Sequence, residues 1–453
     1  MGITQRAYTD HMRRGAWIFV CLVALCALVG CGVTTFVDDA ATGETLVRVP
    51  ADRPTIQEAV DAVAPGGLVL VSSGVYEESV TVATADVTVR GEDRNDVIID
   101  AEGLRPHGIV AIADGVTIQN VTVTGATFYG VLVTGLHDEN GPSAHGVGGY
   151  ETLDPEAFPP IQRFRIDHVT AYNNGLYGIY AFNAQHGVIE NSYASGSADS
   201  GFYVGQCENC DILVTGNTSE RNAIGFEDAN ASDSLVVVGN RFSGNRVGAT
   251  FISNYQEAFV PQRGATVIGN VITDNTSSDS PAHALGGYGT GVGLSGSVAN
   301  HVTRNLITGN PRAGVLVSNT EDLAATDNDL RGNKFAANGT DIADVAASRA
   351  PSTGTCADGG LVTTPAELAG ALNAACAATP GEAQPAATAD LLPVVDVPAG
   401  VSFLRVAAPI DQPTWAGELE SIPDPLPSHV SFPVLDDIVV PPADLLMETS
   451  GTQ

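Results

Sequence analysis

The chain has 453 residues, with 20 Lys+Arg against 52 Asp+Glu and a formal net charge of −32. A surface of that sign repels nucleic acid and other polyanions unless metal ions intervene, so unaided partners of that kind are excluded. Ordinary hydrophobic content, few charges and 50 glycines describe a folded, turn-rich chain.

Residues 1–30 are expected to be a targeting segment. Arg6, Arg13 and Arg14 precede an uncharged run, Ala16–Val29, of 14 residues. That run is shorter than the roughly 20 residues a spanning helix needs. It ends in Leu28-Val29-Gly30-Cys31, which resembles a bacterial lipobox. The resemblance implies cleavage before Cys31 and lipidation at that residue, on the extracytoplasmic side of a bacterial membrane. An ordinary signal peptide or a short anchor are the alternatives. Cleavage would take the formal charge from −32 to −34, because three arginines and one aspartate leave. Cys207, Cys210, Cys356 and Cys376 remain in the interior of the chain. An even count in an exported protein reads as two disulfides, and proximity suggests Cys207–Cys210 and Cys356–Cys376. Cys207-x-x-Cys210 as half of a metal or redox site is the weaker reading, since no second CxxC accompanies it.

Residues 31–45 form a polar spacer, and ordered structure starts at residue 46. Thr55-Ile56-Gln57-Glu58 is a capping box, with Ile56, Ala59, Val60 and Val63 on one helical face. A short helix there is expected to plug the open end of a stack of coils. Short valine- and isoleucine-rich strands then alternate with Gly, Asp and Asn through to residue 338. Two phrases repeat. The first is a glycine followed by apolar alternation, and Gly178, Gly201, Gly225 and Gly248 stand 23, 24 and 23 residues apart. The second is a pair of asparagines five residues apart: Asn217/Asn222, Asn240/Asn245, Asn270/Asn275, Asn305/Asn310 and Asn328/Asn333. A fixed period of this size is the signature of a solenoid, here all-β and of about ten coils. Asparagine tolerates left-handed backbone, so stacked asparagines are expected at the corners. Residues 339–378 read as a C-terminal cap with a helix over Pro365–Cys376, and residues 379–453 as a Pro-rich arm or tail.

Strand alternation assigns a side to each residue. The residue after each glycine should point inward: Val131, Ile179, Phe202, Phe226, Ala249, Val292 and Val315. The next, Leu132, Tyr180, Tyr203 and Glu227 among them, should point outward, placing Tyr180, Tyr203 and Glu227 in one exposed column. Asn183, Gln206, Asn230 and Ser253 fall at one equivalent position further along. Insertions at Leu136–Arg163, Tyr255–Gly264 and Thr276–Gly289 are expected to wall a groove over the tyrosines. Two insertions share a phrase, Ala144–Tyr150 and Ala282–Tyr288, with five of seven positions identical.

These coils resemble the right-handed parallel β-helix proteins of the pectin-lyase-like superfamily over roughly Leu46–Asn338. The opening Val47–Glu78 is similar to the start of many such proteins, and Asn173–Asn230 looks like a narrower exported bacterial subgroup. The resemblance implies a single-stranded right-handed β-helix and carbohydrate-directed chemistry: lyases, polygalacturonases, pectin esterases and uronan epimerases, with a non-catalytic copper-site maturation branch beside them. The catalytic motifs of those enzymes are largely missing. Gly74-x-Tyr76-x-Glu78 matches a pectin-esterase motif, but the other esterase blocks are absent. The acidic surface and the single lysine, Lys334, count against a polyuronate lyase.

The candidate chemistry therefore rests on position. Tyr180 and Tyr203 would stack on sugar rings. Glu227, Asp228 and Asp199 would serve as paired acid and base. Asn183, Gln206, Asn230, His145, Tyr150, His283 and Tyr288 would contact substrate. No cofactor is required, although Asp228, Asn230 and Asp233 offer an oxygen set for Ca²⁺. Two functions stand at this stage. One is a lipid-anchored monomer of the cell envelope that binds a glycan or an envelope protein on the tyrosine face. The other is a carbohydrate-active enzyme, a glycoside hydrolase before a lyase or epimerase, using the carboxylates of that face.

Overall fold

A computed structural model describes residues 43–138, 141–142, 154–376 and 382–447. Cys31, His145 and Tyr150 lie outside the described residues. The chain winds into a right-handed parallel β-helix. One sheet carries seven strands that matter below: β1 (Tyr129–Thr134), β2 (Tyr177–Phe182), β3 (Ser200–Glu208), β4 (Ile224–Ser232), β5 (Val247–Ile252), β6 (Thr290–Ser295) and β7 (Ala313–Ser318). They stack in parallel register, so Val131, Ile179, Phe202, Phe226, Ala249, Val292 and Val315 form one column. All seven are fully buried, as the alternation requires.

The two repeated phrases turn out to be one device. Asn217, Asn240, Asn270, Asn305 and Asn333 form a ladder in which each side-chain oxygen accepts both the backbone and the amide N–H of the asparagine before it. Asn222, Asn245, Asn275, Asn310 and Asn338 form a second ladder by the same rule. The last coil is thus paired as Asn333/Asn338. Asn328 belongs to a third, shorter ladder with Gln262 and Asn300. The left-handed residue is the one before each asparagine, for example Gly239, Gly269 and Arg304, so the asparagine itself is kept for its amide. The repeated glycines make room for that amide. A Cβ on Gly225 would stand 2.4 Å from the Gly248 carbonyl oxygen and 2.8 Å from Asn245 Nδ2. Gly225→Ala is therefore expected to destabilise the protein by about 3 kcal/mol through overpacking. Gly293→Ala, whose Cβ would meet nothing closer than Thr250 Cγ2 at 3.5 Å, should fall within about 0.5 kcal/mol of wild type. Denaturant titration of both variants checks the contrast.

The ends are closed as expected, with different details. Thr55 caps the helix Ile56–Ala62 by accepting the Glu58 N–H at 3.1 Å. The Glu78 carboxylate takes the N–H groups of Ile56 and Gln57 at 2.9 and 3.0 Å, where the helix terminus favours an anion. Tyr76 donates to the Ser72 carbonyl. The esterase-like phrase around Gly74 thus serves the cap. The C-terminal helix is shorter than expected, Leu368–Ala375, because the chain from Pro365 enters it through a turn; Leu368 and Leu372 reach the core. Both disulfides, Cys207–Cys210 and Cys356–Cys376, are formed, and the first occupies both thiols that a metal half-site would need. No helix among the described residues is long and apolar enough to cross a membrane.

Residues 382–447 are a docked arm. It runs from Leu392, buried against Ala313 and Ala343, back to Pro413 and Glu420 on the first coils, then returns to Leu445 beside Arg241. Arg48, Arg90, Arg94, Arg163, Arg221, Arg241, Arg246 and Arg304 all donate to it, mostly to its carbonyls. Arg90 also lies over Trp415 at 4.2 Å. A segment with many prolines offers carbonyls without N–H donors, and guanidinium forks suit them.

Candidate functional site

The outward positions of β1–β4 do leave the solenoid core, but they are not exposed. Tyr180 is 1%, Tyr203 2% and Glu227 7% exposed, and Leu132 is fully buried. Leu132, Tyr180 and Tyr203 form a second cluster with Val110, Tyr129, Tyr177 and Phe182. Tyr180 meets Tyr203 edge-on at 4.7 Å, and Tyr177 lies 4.7 Å from each of them. These ring faces are occupied by one another, so the expected sugar-stacking platform is corrected to an aromatic cluster. Periodicity showed the side of the sheet but not what would cover it. Over Tyr203 the cover includes Glu257 from the Tyr255–Gly264 insertion, whose Oε1 accepts the Tyr203 hydroxyl at 2.7 Å.

Asn183, Gln206 and Asn230 are likewise corrected, from substrate contacts to supports. All three are buried and left-handed, at φ 53°, 52° and 50°. Asn183 donates to Phe158 of the first insertion at 3.0 Å. Gln206 accepts the Ala258 N–H at 3.0 Å. Asn230 donates to Asn254 and Glu257 carbonyls at 2.7 and 3.2 Å and accepts the Asn254 N–H. One column of corner residues thus anchors two insertions over the face and fixes the backbone of Glu257. Tyr288 is also structural: its hydroxyl donates to Thr276 within its own insertion at 2.7 Å, beneath Arg246.

What remains is a cluster of carboxyls. Ser200 opens β3 and donates to Glu227 Oε2 at 2.5 Å, with Asp199 Oδ1 at 3.3 Å from the same hydroxyl. His283, from the Thr276–Gly289 insertion, places Nε2 3.7 Å from Asp199 Oδ1. Its Nδ1 lies 2.9 Å from the Gly286 carbonyl and must carry the hydrogen there, leaving Nε2 to face Asp199. Burial, then the negative charges of Asp199, Glu257 and Asp228, push the Glu227 carboxyl well above its usual range, against the Ser200 bond. Burial raises Asp199 too, opposed by His283 and Ser200, although its side chain is 26% exposed. Glu257 is pushed up to about 8 by burial, and its Oε2 has no partner among the described residues. The cluster therefore holds its protons more tightly than exposed carboxyls do and is open at its Asp199 end.

Glu257 sets a pH dependence. Folded, it keeps its proton to about 8, whereas the ordinary glutamate value is 4.5. Between those values the folded state binds more protons than the unfolded, so its contribution to stability is intact below 4.5 and lost as pH rises through about 8. Glu257→Gln keeps an acceptor for Tyr203 without titrating. Its melting temperature should gain on wild type steadily from pH 5 to pH 8.5, and a gap that does not change with pH would refute the raised carboxyl.

Asp228 does not belong to this group. It points into the solenoid, accepting Ala231 N–H at 2.9 Å and Gln262 Nε2 at 2.8 Å, and burial raises it strongly. Asp233 faces out to Arg263 at 2.9 Å. Asp228, Asn230 and Asp233 therefore go three ways, and the Ca²⁺ set suggested by their spacing does not converge. Ser200 and Glu257 were missed by sequence reading. Glu257 is the only acidic residue of its insertion, and that was the available signal. Two open depressions, of about 510 and 560 Å³, are lined by Thr266, Arg304 and Arg331 and by Asp114, His137 and Phe158. Neither contains a residue of the carboxyl cluster, so size alone does not locate the chemistry.

Residues 99–260 match the family described as a right handed beta helix region. The strand pairing and this match agree on one fold, a right-handed parallel β-helix. Solved structures similar to this β-helix include the A-module of a mannuronan C-5 epimerase of Azotobacter vinelandii, with 15% identity, TM-score 0.39, 68% of this chain and 87% of that one. An alginate lyase of Paenibacillus sp. is 16% identical, with TM-score 0.36, over 63% of this chain and 93% of that one. A pectate lyase is 14% identical, with TM-score 0.38, over 71% and 77%. No curated protein matches the β-helix in sequence.

Proposed function

We propose that this protein is an extracytoplasmic, carbohydrate-active enzyme that works by acid–base catalysis at the Asp199–Ser200–Glu227 group. The observation that carries the reading is the bridging of two carboxyls of raised proton affinity by one serine, on the face reached by insertions. Asp199, at the open end, donates a proton to the leaving oxygen, the glycosidic bond breaks as water adds to the anomeric carbon, and the proton that this water loses returns to the carboxyl pair through Ser200. Glycoside hydrolysis commonly uses two carboxyls, one as acid and one as base or nucleophile. Repulsion between the two carboxyls favours one holding a proton while the other gives it up. The net charge of −32 favours neutral or cationic glycans over polyuronates. Lipidation at Cys31 would hold the enzyme at the membrane surface. Recognition without chemistry, through Tyr180 and Tyr203, is less supported because those rings are closed off.

The test is turnover of neutral, cationic and uronate glycans, read as new reducing ends or unsaturated products, with binding measured beside it. Turnover lost in Asp199→Asn and Glu227→Gln supports the proposal. Binding without turnover returns the face to a recognition role, and neither binding nor turnover overturns the carbohydrate reading.

A further inference from the structure

A second group of side chains lies on another part of the molecule, and it is independent of the function proposed above. His186 and Asp211 sit on successive coils, each immediately before a paired residue, Gly187 and Ile212. Both are left-handed, at φ 57° and 50°. Their side chains converge, with His186 Nδ1 2.7 Å from Asp211 Oδ2. The returning limb of the C-terminal arm brings a third donor. His429 Nδ1 stands 3.4 Å from the same Asp211 oxygen, and the Val430 N–H donates to that oxygen at 3.0 Å. The two imidazoles meet edge-on at 5.2 Å. One donor atom from each residue lies within 4.8 Å of the others.

We propose that His186, Asp211 and His429 bind a divalent transition ion of the zinc class and that the ion fastens the arm to the coils. Two imidazoles and one carboxylate, with a fourth position left to water, are a donor set that zinc accepts in tetrahedral geometry. Metal–ligand bonds of about 2.0–2.2 Å call for donors roughly 3.3 Å apart. His186 Nδ1 and Asp211 Oδ2, 2.7 Å apart, must open to that distance, and the approach of the third donor falls on His429, which is 80% exposed and can rotate. His186 and Asp211 are held by register and are mostly buried. The strongly acidic chain also raises the local concentration of cations. Elsewhere arginines grip the arm; here it is held through Val430 and Asp211, and a bound ion would add a bond that no arginine supplies.

The experiment uses untagged, chelator-stripped protein. Zn²⁺ is titrated by calorimetry, and Co²⁺ is added separately to read its visible absorption. One equivalent of Zn²⁺ and a tetrahedral Co²⁺ spectrum are expected. His429→Ala should weaken Zn²⁺ binding at least about tenfold, as should Asp211→Asn. His429 is exposed, so its variant should melt with metal-free wild type, which separates ligand loss from misfolding. Zn²⁺ should also slow proteolysis of the arm in wild type and not in His429→Ala. Equal Zn²⁺ affinity in wild type and His429→Ala would overturn the site. Binding that leaves proteolysis of the arm unchanged would overturn its fastening role.

Discussion

Replacing Asn270 with alanine is expected to destabilise the β-helix by about 3–5 kcal/mol, since each buried group left unsatisfied costs about 1–3 kcal/mol. Asn270 is fully buried at the middle of its ladder. Its amide donates to the Val237 and Ile268 carbonyls at 2.9 and 3.2 Å and to Asn305 Oδ1 at 2.9 Å. Its oxygen accepts both N–H groups of Asn240, at 2.9 and 3.0 Å. Alanine orphans donors and acceptors on two neighbouring coils at once, where no water reaches them. Coils of a solenoid are stabilised by their neighbours, so a break in the middle weakens both halves. Hydrogen exchange should therefore quicken around 237–240 and 303–306 as well as at the mutated coil. Asn333, the half-exposed end of the same ladder, is a graded control. Its alanine variant should cost clearly less, because solvent can replace the lost bonds. Equal losses at the two positions would show that burial does not set the value of the ladder.

The same residues show what was legible in the sequence. Phe202, Phe226 and Ala249 could be placed in the core because period and alternation fix which side a residue takes. The glycine and asparagine phrases could be seen as repeats, but not as partners, since the contact between Gly225 and Asn245 is made across coils. The outward column was misjudged for a physical reason. Tyr203 faces away from the solenoid, and the chain segment that covers it has no period. Asn183, Gln206 and Asn230 were recognised as equivalent, yet equivalence did not say whether they served a ligand or a loop. Their left-handed backbone at a sheet corner decides for the loop. Glu257 lay beyond periodic reasoning altogether. His186 and His429, 243 positions apart in the chain, had no spacing to betray them.

Loss of either carboxyl of the serine-bridged pair should lower turnover by about 10²–10⁴-fold, the usual worth of a positioned acid or base. Asp199→Asn and Glu227→Gln keep shape while removing the proton, but they should fail differently. Asp199 meets solvent and Glu227 stands behind it, so Asp199→Asn should remove the basic limb of the pH–rate profile altogether. Glu227→Gln leaves Asp199 to titrate under burial, His283 and Ser200, so the basic limb should stay in place while turnover falls. The two effects should not add, because both residues serve one proton path. A purely structural cluster behaves otherwise. Glu227 is buried and bonded, so its replacement would then reduce melting temperature and active fraction together, and Asp199→Asn would leave the limb in place. The loss of that limb in Asp199→Asn, rather than the size of the rate loss, therefore separates chemistry from support on this face.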